Sequence, residues 1–116
     1  MNELIEQILS ELTVDGSHIP YAFLFYEGHG EPYITYMEES TDNSFSGDNG
    51  LIGYVHYYDF DVYSTGNYFP ILEALRTALE ANGFVWQPSR SSSDYFEPDT
   101  HYYHRTFNFA YMWEEN

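Results

Sequence analysis

The segment from Leu51 to Tyr63 alternates between two sets of side chains, and this alternation constrains the fold more than any other feature of the sequence. One set is aromatic or aliphatic apart from a histidine: Tyr54, His56, Tyr58, Phe60 and Val62. The other set mixes Val55 and two tyrosines with Asp59 and Asp61. Because successive side chains of a β-strand point to opposite faces, the segment predicts a strand with one face on the core and one mixed face.

An amphipathic helix is predicted to follow this strand. Its apolar residues recur at i, i+1, i+4, i+7 and i+8, which places them on one helical stripe: Ile71, Leu72, Leu75, Ala78 and Leu79. Pro70 falls in the first turn, where its missing N–H costs nothing, and Asn82-Gly83 supplies a left-handed exit. The pattern predicts a helix over 68–82 that packs on the sheet through this stripe.

The N-terminal part of the chain predicts a second helix and a β-hairpin. Leu4 to Leu12 carries a helical apolar stripe, which ends before Asp15-Gly16. Tyr21 to Tyr26 and Tyr33 to Met37 are rich in aromatic and β-branched residues and flank a turn with Gly and Pro, so we expect them to pair as a hairpin. Residues 38–50 are mostly Ser, Thr, Asp, Asn and Gly, and they predict a solvated loop.

The C-terminal part predicts two further strands around a second polar loop. Phe84 to Gln87 indicates a short strand, residues 89–100 a loop, and Tyr102 to Trp113 a long final strand. Arg105 shares one face of that strand with aromatic residues. The element order is then α-β-β-β-α-β-β, an α+β fold whose mostly antiparallel sheet is packed by two helices, in a single domain spanning 1–116.

Charge restricts the partners that this chain can have. Nineteen carboxylates face three cations, Arg76, Arg90 and Arg105, and the net charge is -16. A phosphate backbone or an anionic membrane surface requires clustered Lys and Arg, so we expect neither nucleic acid nor membrane as a partner. The acidity fits a basic protein partner, a cation site, or solubility alone.

Two further features bear on where the chain works. It has no cysteine, which removes disulfides and thiolate chemistry. Its N-terminal residues carry carboxylates where a signal peptide carries positive charge, and they lack a long apolar run. We therefore expect a chain that is neither exported nor membrane-spanning.

Candidate catalytic and metal-ligating residues are few. On a strand, His101 and His104 would point to opposite faces, which disfavours a shared metal. Asp59 and Asp61 share a face, and paired carboxylates suit acid–base chemistry or a divalent cation, but neither a lysine nor a glycine-rich phosphate loop accompanies them. Ser64 lacks the preceding glycine of a nucleophile elbow. We expect no enzyme, and no catalytic, cofactor or metal site.

Isolated aromatic residues in the two polar loops indicate protein contacts instead, because a purely solvated loop has little reason to hold them. Arg105 has three readings: it stacks on rings, pairs with a carboxylate, or meets a neighbouring subunit at the sheet edge. An internal pair is the commoner of these arrangements. The residues predicted to contact another subunit or a partner are Phe45, Asp59, Asp61, Tyr95, Phe96 and Arg105.

The order of three pieces between Tyr54 and Tyr111 carries a family resemblance. The strand YVHYYDFDVYS runs through TGN into the helix YFPILEALRTALEANGF, and the loop DYFEPDT and the strand HYYHRTFNFAY follow. In this order the segment resembles the small tail-completion or tail-terminator proteins of long-tailed bacteriophages and prophages. About half of the chain carries the resemblance, and the N-terminal helix and hairpin agree with it in type.

The resemblance implies a sheet backed by helices that assembles with copies of itself into a ring, usually of six. Such a ring caps the tail tube and meets the head-side connector, first in the cytoplasm of the host bacterium and then in the virion. Composition alone leaves an alternative: a compact acidic inhibitor, either an immunity protein or a DNA mimic, that covers a basic site. Against it, the carboxylates are spread through the chain rather than clustered at phosphate-like intervals.

Overall fold

The protein is an α+β fold, seen in a computed structural model that describes residues 2–27, 31–46 and 52–115. A short 3-10 turn, Pro88–Arg90, lies between the sixth and seventh strands. The helices and strands are, in chain order, α1 (Asn2–Ser10), β1 (Thr13–Val14), β2 (Ser17–His18), β3 (Tyr21–Phe23), β4 (Tyr33–Ser46), β5 (Ile52–Ser64), α2 (Phe69–Ala81), β6 (Val85–Trp86), β7 (Tyr95–Glu97) and β8 (Tyr102–Glu115).

The main sheet has the strand order β3-β4-β5-β8-β6, and β7 also pairs with β8, near its start. All of its pairings are antiparallel except β3 with β4. The long strands β4, β5 and β8 make the molecule elongated, with a longest dimension of 52 Å. The prediction of a mostly antiparallel sheet packed by two helices is confirmed.

Both helices pack on the same face of the sheet. The apolar stripes of α1 and α2 share one core cluster with Ile34 and Tyr36 of β4, Tyr58, Phe60 and Val62 of β5, and Phe107 and Phe109 of β8. Tyr54 and His56, predicted on the same face of β5, lie outside this cluster. The most completely buried side chains of the cluster are Ile5, Leu9, Ile34, Tyr36, Tyr58, Phe60, Val62, Leu75, Leu79, Phe84 and Phe109.

The boundaries of α2 follow the signals in its sequence. Asn67 Oδ1 accepts a hydrogen bond from the Phe69 N–H at 3.1 Å, and Pro70 lies in the first turn. Gly83 has φ +91°, the left-handed exit that favours glycine. In the turn before the helix, Ser64 Oγ accepts a hydrogen bond from the Gly66 N–H at 3.2 Å, so Ser64 acts as a turn residue.

The predicted hairpin between Tyr21–Tyr26 and Tyr33–Met37 is wrong, because β3 and β4 pair in parallel. The physical reason lies at Leu24, which has φ +68° and forms the centre of a tight turn in which the Phe25 N–H donates to the Phe23 carbonyl at 2.8 Å. This turn ends β3 after three residues. The chain then returns to the start of β3 before β4 begins.

The predicted loop over 38–50 is also wrong for residues 38–46, which continue β4. Two register shifts, between Glu38 and Ser40 and between Asn43 and Phe45, let this polar segment follow β5. Pairing along a whole neighbouring strand outweighs the weak strand propensity of Ser, Asp and Asn. The rest of that predicted loop, residues 47–50, lies outside the described residues.

The second predicted loop, 89–100, contains β7 and most of the 3-10 turn, and it closes the outer edge of β8. Ser91 Oγ accepts the Asn108 N–H at 3.0 Å, and Ser92 Oγ accepts the Thr106 N–H at 2.9 Å. Two serine side chains thus supply acceptors that a paired strand would supply from its backbone.

Candidate functional site

The face of the sheet opposite the helices, here called the open face, is built from polar and tyrosine side chains. Cross-strand register sets the carboxylates of β5 beside hydrogen-bonding side chains of β8. The open face comprises Tyr33, Thr35 and Met37 of β4, Tyr57, Asp59, Asp61 and Tyr63 of β5, and His104, Thr106 and Asn108 of β8.

Asp61 is the centre of one hydrogen-bonded group on this face. Its Oδ1 lies 3.0 Å from His104 Nε2 and also accepts a hydrogen bond from the Thr106 hydroxyl. The His104 ring stacks on Tyr63 with 4.2 Å between centroids. In a catalytic hydroxyl–His–Asp relay, the hydroxyl and the carboxylate form hydrogen bonds with different nitrogens of the histidine ring. Here Thr106 and Asp61 both lie at the same nitrogen of His104, Nε2. The group fits a structural link between strands better than a nucleophilic site.

Asn108 is the centre of a second group, and its side chain is fully buried. Its Nδ2 donates to Asp59 Oδ1 at 2.9 Å and to Glu39 Oε1 at 3.4 Å. Glu39 Oε1 also accepts from Arg90 at 2.8 Å, and that guanidinium lies 3.7 Å from the centroid of the Tyr57 ring. Burial raises the pKa of Asp59, and the hydrogen bond from Asn108 opposes this rise. The group ties the bulge of β4 to β5, β8 and the 3-10 turn.

A pocket of about 330 Å³ lies at one end of the open face and is called the tyrosine pocket here. Tyr33 stacks on Tyr63 at 4.5 Å, and Tyr102 stands at 81° and 89° to these two rings. Tyr26 lies 4.8 Å from Tyr33 and donates a hydrogen bond to Glu31 Oε1 at 3.0 Å. The pocket is lined by Tyr26, Tyr33, Tyr63 and Tyr102 together with Leu24, Phe25, Thr35, Glu97 and Thr100.

Exposed apolar side chains form two groups at the edges of the sheet, while others, among them Phe69 and Met112, lie elsewhere. The β3 edge patch consists of Phe23, Leu24 and Phe25, of which Phe25 is 72% exposed. The β7 edge patch consists of Tyr95, Phe96 and Tyr103, of which Tyr95 is 58% exposed, and the rings of Phe96 and Tyr103 are in contact at 4.9 Å. Contiguous exposed apolar side chains are typical of surfaces that bind other proteins.

The six residues predicted to make contacts fall in different places. Tyr95 and Phe96 belong to the β7 edge patch. Asp59 and Asp61 lie on the open face, where the hydrogen bonds described above hold them within the molecule. Phe45 lies in β4, where it pairs with Gly53, and its side chain lies outside the described residues.

Arg105 makes two of the three kinds of contact predicted for it. Its guanidinium lies 4.9 Å from the centroid of the Phe107 ring and 3.8 Å from Asp94 Oδ1. Both the contact with the Phe107 ring and the pair with Asp94 are made within the same chain. A contact of any of the six residues with another subunit stays a prediction.

Sequence reasoning missed the β3 edge patch and the tyrosine pocket. Phe23, Leu24 and Phe25 read as the middle of a hairpin strand, and only the unusual backbone of Leu24 ends that strand. The pocket brings together tyrosines that lie far apart in the chain, so a single sequence holds no local signal for it. The prevalence of tyrosine was the one available sign.

His101 and His104 have different surroundings. His101 lies in a turn with φ +63°, its ring near Phe96 at 6.1 Å, whereas His104 contacts Tyr63 and Asp61. Within residues 2–27, 31–46 and 52–115, no group of three or more His, Cys, Asp or Glu side chains could hold a metal ion. In the same ranges, no helix is long and apolar enough to cross a membrane.

No protein-family model matches the sequence, and no curated protein matches it either. Function is therefore inferred from the geometry of the sheet edges and of the open face, together with the resemblance carried by residues 54–111.

Proposed function

We propose that this protein is a phage or prophage tail-terminator-like subunit, which assembles edge to edge into a ring that caps the tail tube and joins it to the head connector. The presence of two different exposed aromatic patches on opposite edges of one sheet carries this proposal. The β3 edge patch provides one contact surface, and the β7 edge patch provides the other.

The two patches lie at the same end of the sheet. β3 pairs with residues 34–36 of β4, while β7 pairs with residues 102–104 of β8, and β5 connects these two places through Tyr63, which pairs with both Tyr33 and His104. At a spacing of about 4.8 Å between strands, the five strands from β3 to β7 separate the patches by about 19 Å. A neighbouring subunit can therefore occupy one edge without blocking the other.

Two unlike surfaces favour a heterologous contact, in which one edge of a subunit binds the opposite edge of the next. Repeated contacts of this kind close into a ring when the rotation from one subunit to the next is a whole-number fraction of a full turn. An isologous dimer instead uses one surface twice and leaves the second patch exposed. The helices pack on the face of the sheet opposite the open face and cover neither edge. Both β3 and β7 are therefore accessible to a neighbouring subunit.

The fold class agrees with the resemblance, which implies a sheet backed by helices. The open face supports an assembly function over a catalytic one, because its carboxylates are engaged in hydrogen bonds with His104, Thr106 and Asn108. The tail tube and the connector are the partners that the resemblance implies for the two sides of the ring.

Electron microscopy of reconstituted tubes tests this function. The protein is mixed with the tail-tube protein and the connector protein encoded beside its own gene, and the expected result is a ring of subunits at one end of each tube. Tubes with bare ends, together with a protein that stays monomeric, would reject the proposal. Inhibition of a nuclease encoded next to it would then support the acidic inhibitor.

A further inference from the structure

The arginines of the chain all lie on one side of the molecule. Arg76 belongs to α2, Arg90 to the 3-10 turn and Arg105 to β8. The 3-10 turn contacts β8, and the Arg76 guanidinium lies 4.6 Å from the centroid of the Trp86 ring in β6. Residues 1–75, which include α1 and β3, contain neither arginine nor lysine. The two sides of the molecule therefore differ in charge.

Two of these arginines line the same pocket, which has a volume of about 130 Å³ and is called the arginine pocket here. The Arg105 guanidinium lies 4.9 Å from the centroid of the Phe107 ring, much as that of Arg76 lies against Trp86. Planar guanidinium groups bind carboxylates through paired hydrogen bonds. The pocket is lined by Phe69, Leu72, Glu73, Arg76, Trp86, Arg105 and Phe107.

Both arginines keep their terminal nitrogens available for a further partner. Arg76 donates to Glu80 through Nε at 3.3 Å, and each of these side chains is nearly half exposed. Arg105 donates to the Ser92 carbonyl through Nε at 3.4 Å, and its Nη1 lies 3.8 Å from Asp94 Oδ1, beyond hydrogen-bonding distance. Within the part of the chain that the structure describes, these terminal nitrogens make no hydrogen bond. Exposed ion pairs contribute little stability, so an incoming carboxylate can bind here.

The opposite side of the molecule presents a carboxylate beside β3. Glu3 and Glu6 of α1 border a depression that Tyr21 and Phe23 of β3 also line. Glu6 accepts a hydrogen bond from the Tyr36 hydroxyl. Glu3 is exposed and makes no hydrogen bond or ion pair with any other described residue. Its carboxylate is therefore available to another molecule.

The cross-strand register places these two charged sites level with each other at opposite edges. Glu3 lies beside β3 at one end of two rows of paired residues, and Arg105 lies at the other end. When the β3 edge of one copy meets the β7 edge of the next, the ends of these rows approach each other. The rows are Tyr21, Ile34, Val62 and Arg105, and Phe23, Tyr36, Phe60 and Phe107.

We propose that Glu3 of one copy of this chain pairs with Arg76 and Arg105 of the next copy. The pair rests on the edge-to-edge ring proposed above and adds a direction to it, because the reverse orientation would bring like charges together. The same attraction offsets part of the repulsion between molecules of net charge -16.

Light scattering coupled to size exclusion tests the pair, at the ionic strength where the unmodified protein is half assembled. Glu3→Arg raises the net charge by two units, from -16 to -14, and so lowers the general repulsion. We nevertheless expect it to assemble about tenfold more weakly, because it places a third cation against Arg76 and Arg105. Glu11→Arg is the matched control, since Glu11 is exposed at the groove between the helices and the net charge changes equally. This control should assemble at least as well as the unmodified protein.

A charge exchange separates the pair from other effects. Glu3→Arg combined with Arg76→Glu returns the net charge to -16 and should assemble better than Glu3→Arg alone, because the exchanged charges attract again. Phe69→Ser alters a wall of the arginine pocket without changing any charge and should assemble as the unmodified protein does. Glu3→Gln, a milder change at the start of α1, should also weaken assembly.

The results distinguish failure of the pair from failure of the ring. Assembly of Glu3→Arg and Glu3→Gln at the strength of the unmodified protein, or no recovery on charge exchange, would overturn the pair and leave the ring standing. An unmodified protein that stays monomeric at every ionic strength would reject the ring and the pair together.

Discussion

Ser91 shows how a single side chain completes this sheet. Its Oγ accepts the backbone N–H of Asn108 at 3.0 Å and donates to the Gln87 carbonyl at 2.9 Å. The Trp86 indole N–H also lies within hydrogen-bonding distance of this oxygen, at 3.2 Å. Ser91 thus supplies a hydrogen-bond acceptor to the backbone of β8 at a position that lies between the segments paired with β6 and β7, where no strand pairs with it.

Replacement of Ser91 by Ala should destabilise the protein by about 1–3 kcal/mol, because the Asn108 N–H would lose its acceptor in a partly buried place. Urea denaturation followed by tryptophan fluorescence measures this loss. Ser93→Ala is the matched control, since that position is exposed and only its backbone carbonyl accepts a hydrogen bond, from Ser92. Equal stability of the two variants would show that the serine side chain does not close this edge.

Asp59 gives the stability of the fold a pH dependence of known sign. Burial raises its pKa above that of the unfolded chain, so the folded protein holds the proton more tightly. Ionisation of Asp59 therefore costs stability as the pH rises from the unfolded pKa through the raised folded pKa, and the cost remains at neutral pH. Asn108, whose Nδ2 donates to Asp59, offsets part of this cost.

Asp59→Asn should therefore stabilise the protein at pH 7, because it removes the charge and keeps an oxygen that accepts from Asn108. The gain should shrink as the pH falls below the unfolded pKa of about 4, where Asp59 is protonated in both states. Denaturation midpoints at both pH values measure this difference. Asp99→Asn, at an exposed turn, controls for the general effect of losing one negative charge. A gain that is the same at both pH values would contradict the account.

Among the helices and strands, the sequence predicts those whose apolar periodicity reflects packing against a single neighbouring element. The stripe from Ile71 to Leu79 and the alternation from Tyr58 to Val62 are confirmed, because both lie in one core cluster, whereas Tyr54 and His56 lie outside it. The parallel pairing of β3 depends on the backbone of Leu24, and the extension of β4 through Ser46 depends on pairing with β5. Neither is visible in local composition, since leucine rarely adopts a positive φ and polar residues usually indicate loops.

The docking of α2 on the sheet is tested by Leu75→Ala. Leu75 is 1% exposed and lies in the stripe that faces the core, so its truncation should cost about 2–5 kcal/mol. Chemical denaturation measures the change, and Thr77→Ala at an exposed position of the same helix is the control. A loss under about 0.5 kcal/mol for Leu75→Ala would mean that this stripe is not buried.

At the scale of the whole molecule, charge opposes self-association. Each molecule carries a net charge of -16, and its three arginines already pair within the chain. Repulsion between such subunits is screened over about 8–10 Å at physiological salt. Assembly should therefore be weak in dilute, low-salt buffer and should strengthen with added salt or divalent cations. Light scattering coupled to size exclusion, across protein concentration and ionic strength, measures this trend, and a strict monomer at high salt and high concentration would contradict it.

The proposed ring requires the β3 edge of one subunit to bind the β7 edge of the next. Phe25→Ser removes the most exposed ring of the β3 edge patch, and Phe96→Ser removes a ring of the β7 edge patch. Phe69→Ser is the matched control, because Phe69 is also exposed but lies on α2, outside both patches.

Light scattering of the Phe25→Ser and Phe96→Ser variants, alone and mixed at high salt, tests this claim most directly. Each variant alone lacks one of the two surfaces that every contact needs and should stay monomeric, while the Phe69→Ser control should assemble as the unmodified protein does. The mixture retains one intact pair of edges, so we expect a dimer that grows no further. A single variant that still assembles, or a mixture that stays monomeric, would contradict heterologous assembly through these edges.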